Sequence, residues 1–66
     1  MNAIESIKNE IETAEIRIAY FRNLAEEYGG NADGIAQMKA QLEIVIVESY
    51  IKGLQTALRL MTESIQ

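Results

Sequence analysis

Three glutamate pairs, Glu12/Glu15, Glu26/Glu27 and Glu43/Glu48, and one arginine without a neighbouring carboxylate, Arg17, are the residues of this chain whose types and spacing could do chemistry. Paired carboxylates can share a proton or hold a hard cation. A di-metal helical bundle, however, is built on Glu-x-x-His repeats, and the chain has no histidine. Ser6, Ser49 and Ser64 therefore have no imidazole to activate them, and no Gly-x-Ser-x-Gly elbow surrounds any of them. With no cysteine there is neither a thiolate metal site nor a disulfide. No EF-hand loop is present, and Gly29-Gly30-x-x-x-Gly34 lacks both the preceding strand and the Gly-Lys-Ser/Thr of a phosphate loop. The carboxylates read as a solvated face, and the chain as non-enzymatic, without metal or cofactor.

Arg17 differs from the other basic residues. Lys8, Arg22, Lys39, Lys52 and Arg59 each have a glutamate three or four positions away, close enough to neutralise it on a helix. The corresponding neighbours of Arg17 are Thr13, Ala14, Tyr20 and Phe21. A guanidinium flanked by aromatics suits a phosphate, a nucleotide or an acidic peptide, with Tyr20 and Lys39 as further candidate contacts. The structural alternative is an ion pair with Glu43 across two packed helices.

Two helices are what the pattern offers to position these groups. Ile4, Ile7, Ile11, Ala14, Ile18, Phe21, Ala25 and Tyr28 fall at alternating steps of three and four, as they would along a packed helical seam. Asn2 and Glu5 form a capping box ahead of them. Ala36, Ala40, Ile44, Val47, Ile51, Leu54, Leu58, Met61 and Ile65 make a second seam. Between the seams lies Tyr28-Gly29-Gly30-Asn31-Ala32-Asp33-Gly34. Its adjacent glycines suit left-handed backbone just past a helix end, and Asn31 or Asp33 can cap the next helix. The expected fold is all-α: a single domain over 1–66, with helix about 2–28, turn 29–31 and helix about 32–66, closing as an antiparallel hairpin. An alternating reading of Leu42 to Val47, with β-branched Ile44 to Val47, also suits a strand, but the period around it is helical.

Neither helix is apolar on one side only. Ile16, Tyr20 and Leu24 lie off the first seam, and Ile35, Met38, Leu42, Val45 and Ile46 lie off the second. Ser49, Gly53 and Ala57 add a strip of small residues four apart, which suits a close helix crossing. Folding the chain at Gly30 sets Ile18 level with Leu42 and Ile11 with Ser49. It leaves Leu60, Met61 and Ile65 overhanging by roughly a turn and a half. A chain of 66 residues without a covalent or metal staple has little core of its own. The expectation is a homo-oligomer, a four-helix bundle if dimeric, with an interface over Ile16, Tyr20, Leu24, Ile35, Met38, Leu42, Ile46, Ser49, Gly53, Ala57, Met61 and Ile65.

Around the turn, Ala25, Gly29 and Ile35, supported by Leu24 and Met38, stand at the spacing used by the helix-turn-helix of DNA-binding proteins. The stretch resembles that motif and implies a DNA-binding regulator. Its recognition helix would begin Asn31-Ala32-Asp33-Gly34, with an acid where phosphates want a base. The overall plan is also similar to plasmid-encoded dimers of helical hairpins that bind RNA, though no motif residues are shared.

Net charge is −4, from ten carboxylates against six basic residues. That balance disfavours nucleic acid and anionic membranes and favours a protein partner with a basic surface. The longest apolar run, Ile44 to Val47, is too short to span a bilayer, and the first residues lack a signal-peptide pattern. The expected location is cytoplasmic. The first functional expectation is an interaction module of the size and acidity of a small phage or mobile-element inhibitor. The second is an oligomer that sequesters a small anionic ligand between subunits, and the third is the DNA-binding regulator.

Overall fold

The computed structural model describes residues 2–65, the side chain of Ile65 excepted. Two helices, α1 (Ala3–Gly30) and α2 (Gly34–Ile65), pack against each other as an antiparallel hairpin of 51 × 18 × 11 Å. Both seams close on one another. Ala14, Ile18, Val47 and Ile51 form a buried cluster with Ile11 against it, and Ala25 and Ala40 are buried nearer the turn. Alanines at that end let the two helices approach closely. Residues 42–47 are helical, so the long-range period prevails over local β propensity. Among the described residues no helix is long and apolar enough to cross a membrane.

The ends of the helices follow the capping chemistry, but the turn lies further along than 29–31. Asn2 Oδ1 accepts the Glu5 N–H at 2.8 Å and starts α1. Gly29 and Gly30 remain helical, and no described glycine has a positive φ. The left-handed residue is Ala32, with φ 57°. The Asp33 N–H donates to the Tyr28 carbonyl at 2.9 Å and the Ala32 N–H to the Gly29 carbonyl at 3.1 Å. That pair of bonds is the Schellman termination, with alanine where glycine is usual. Asp33 also begins α2: its Oδ1 accepts the Ala36 N–H at 3.1 Å. One residue closes the first helix and opens the second.

Moving the pivot from Gly30 to Ala32 corrects the register. Ile18 packs with Val47 and Ile51 rather than standing level with Leu42. Phe21, not Arg17, comes level with Glu43, and the two line one groove. The overhang is also shorter than expected, because α1 reaches further up α2. Met61 is half-buried, whereas Leu60 stays exposed.

Candidate functional site

The hairpin has two unlike broad faces. A step of four residues on a helix overshoots a full turn by about 40°, so Ile16, Tyr20 and Leu24 wind around α1 rather than sharing one side. Ile16 ends on the outer edge, beside Glu12, Glu15 and Ala19. Leu24 reaches the opposite broad face, where it meets residues of α2. There an open groove of about 440 Å³ lies near the turn, lined by Phe21, Leu24 and Tyr28 of α1 and by Ala36, Ala40, Leu42 and Ile46 of α2. Lys39 and Glu43 supply its charges.

Spacing extends that face along the whole hairpin. Glu10, Arg17 and Leu24 stand seven apart on α1, and Lys39, Ile46, Gly53 and Leu60 stand seven apart on α2. A seven-residue interval is almost two full turns, so each set is a row along one side of its helix. Tyr50 lies on this face too: its hydroxyl donates to Glu10 Oε2 at 2.8 Å, joining the rows across the hairpin. The hydrogen bond to Glu10 raises the Tyr50 phenol above its ordinary 10.0; partial desolvation and the Glu10 charge add to this, and the Arg17 charge works against it. The other broad face carries Glu12, Glu15, Glu26 and Glu48 with Lys8, Arg22 and Lys52, all exposed.

The expected interface residues are mostly uncovered in the single hairpin. Ile16 (71 %) and Ile35 (68 %) are the most exposed, and Tyr20, Met38, Leu42, Ile46, Ser49 and Gly53 are exposed as well. Leu24, Ala57 and Met61 are half-buried, and the Ile65 side chain lies outside the described residues. Gly53 has open space where a Cβ would stand, so packing within its own hairpin does not require a glycine there.

The three candidate ligand contacts are not gathered at one point. Lys39 lines the groove, while Arg17 stands beside Tyr50 and Glu10 further from the turn. The Tyr20 ring packs edge-on against Phe21, with centroids 5.3 Å apart. The Tyr50–Glu10 contact is the pair that sequence reasoning missed: folding at Gly30 already sets residue 10 level with residue 50, but neither residue stood out by type or spacing. The helix-turn-helix geometry is not formed: Gly29 is helical, Ile35 is exposed, and the helices lie alongside each other instead of crossing steeply. Among the described residues no group of three or more carboxylates stands close enough to hold a metal ion. Comparison with known protein families, with characterised proteins and with solved structures finds no match.

Proposed function

We propose that this chain is a non-enzymatic interaction module that works as a homo-oligomer of hairpins, in its simplest form a four-helix dimer. The observation that carries the reading is the amount of large apolar side chain left in water, much of it on one broad face and its α2 edge. Ile16, Tyr20, Ile35, Met38, Leu42, Val45, Ile46, Tyr50 and Leu60 are each between 45 % and 71 % exposed. Leaving out Ile16 at the α1 edge, the other eight at on the order of 100 Å² apiece leave roughly 800 Å² uncovered, against the about 800 Å² per partner of a standard interface. A second copy is the occupant that supplies a matching apolar face of the same length.

Assembly through that face leaves the charged face outermost, and the net charge of −4 of the chain as a whole fits a protein partner with a basic surface. An inhibitor or adaptor that covers a basic site on another protein is the corresponding biological role. Sequestration of a small anionic ligand would require the subunits to bring together Arg17, Tyr20 and Lys39, which one hairpin keeps apart.

Light scattering coupled to size-exclusion chromatography tests the reading. At micromolar concentration the expected mass is twice that of the chain or a higher multiple, and Leu42→Glu is expected to reduce it towards a single chain, with helical circular dichroism lost in parallel. A folded single chain from the unmodified protein would overturn the proposal.

A further inference from the structure

We infer that the second copy lies face to face on the first with the two turns at opposite ends, so that α2 crosses the partner's α2 and α1 the partner's α1. This inference rests on the dimeric reading and adds its geometry.

Three features of the face agree on that orientation. The first is the α2 row Lys39, Ile46, Gly53, Leu60. A two-fold axis through the middle of α2 reverses this row against itself, setting Ile46 over the partner's Gly53 and Leu60 near the partner's Lys39. The bulky residue meets the one glycine of this row, whose missing Cβ leaves open space. Glycine inside a helix costs about 0.5–1 kcal/mol relative to alanine, and an approaching side chain from outside the hairpin gives it a purpose.

The second feature is a hole and a knob at opposite ends. The groove of Phe21, Leu24, Ala40 and Ile46 is near the turn, whereas Leu60, 55 % exposed, is near the open end. With turns apart, Leu60 reaches the partner's groove, as a knob enters a hole in packed helices. With turns together it would instead sit over the partner's Ile4, away from the partner's groove, and the two grooves would face each other.

The third is charge. Reversing the α1 row sets Arg17 near the partner's Glu10, and the two-fold makes the exchange reciprocal. Arg17 has no carboxylate three or four positions away on its own chain, and Glu10 accepts the Tyr50 hydroxyl with one carboxylate oxygen. An Arg–carboxylate pair across the interface uses both.

A single spin label at Asn31→Cys, on a chain that has no cysteine of its own, reads the orientation by pulsed dipolar spectroscopy. The expected label separation approaches the 51 Å length of the hairpin. A dimer with a separation under half that length would overturn the orientation and leave the dimeric reading standing; a single chain by light scattering would overturn both. Gly53→Leu supplies the second readout. It has open space in its own hairpin, so helicity should be kept while self-association weakens roughly tenfold or more. Unchanged self-association would count against Ile46 seating on the partner's Gly53 and would overturn the arrangement.

Discussion

Ala32 is where the chain departs from what its composition suggests. Three glycines stand within three residues of it, yet the alanine takes the left-handed backbone. Gly29 and Gly30 could have ended α1 two residues earlier, but Asp33 then could not both complete the Schellman bonds and cap α2. The cap position therefore decides the turn, and glycine content does not. A left-handed L-residue costs about 1 kcal/mol, so Ala32→Gly is expected to stabilise the hairpin by about that amount, read from its denaturant midpoint. An unchanged midpoint would mean that the turn takes another conformation. At this scale the N-terminal cap at Asn2 was legible, because Asn ahead of a periodic run has one local use. The left-handed position was not, since it follows from a choice between neighbouring caps.

The two helices were legible almost in full, since a seam at alternating steps of three and four leaves little room for another structure. Every described side chain of the two seams is buried or half-buried. Less legible was how the helices slide against each other, because a shift of pivot by two residues changes every cross-helix pair. Arg17 and Glu43 do not stand level, and the polar contact that joins the elements is Tyr50–Glu10. That contact has a pH signature. Its hydrogen bond holds the Tyr50 phenol protonated to higher pH than in the unfolded chain. The stabilisation is thus fully present below the unfolded value of about 10 and is lost as pH rises through the folded value. Tyr50→Phe should remove this part of the alkaline loss. The check is the difference between wild-type and variant melting temperatures from neutral pH to above about 11, which should narrow as the phenol ionises. A constant difference would show that the phenol makes no such bond in solution.

As a whole, the molecule is a slab whose thin dimension is 11 Å, about the diameter of one helix with its side chains. Every side chain is then within one layer of water unless a second slab covers it. The apolar residues off the seams are visible in one dimension, and the structure leaves most of them exposed. Their spacing assigned them to two sides, where the structure sets Leu24, Leu42 and Ile46 around a common groove and leaves Ile16 at an edge. Folding and association should accordingly be one event, with a melting temperature that rises with protein concentration. Calorimetry over a hundredfold dilution series would show it, and a melting temperature independent of dilution would argue for a self-sufficient hairpin.

That thinness also bears on how such a protein would be cleared from a cell. If hairpins cover one another as proposed, a fall in copy number would leave a larger share of the chains uncovered and open to proteases, so removal would speed up as the protein becomes scarce. No degradation tag or processing signal is required. A hairpin one helix thick would carry its own timer, set by how many others of its kind surround it.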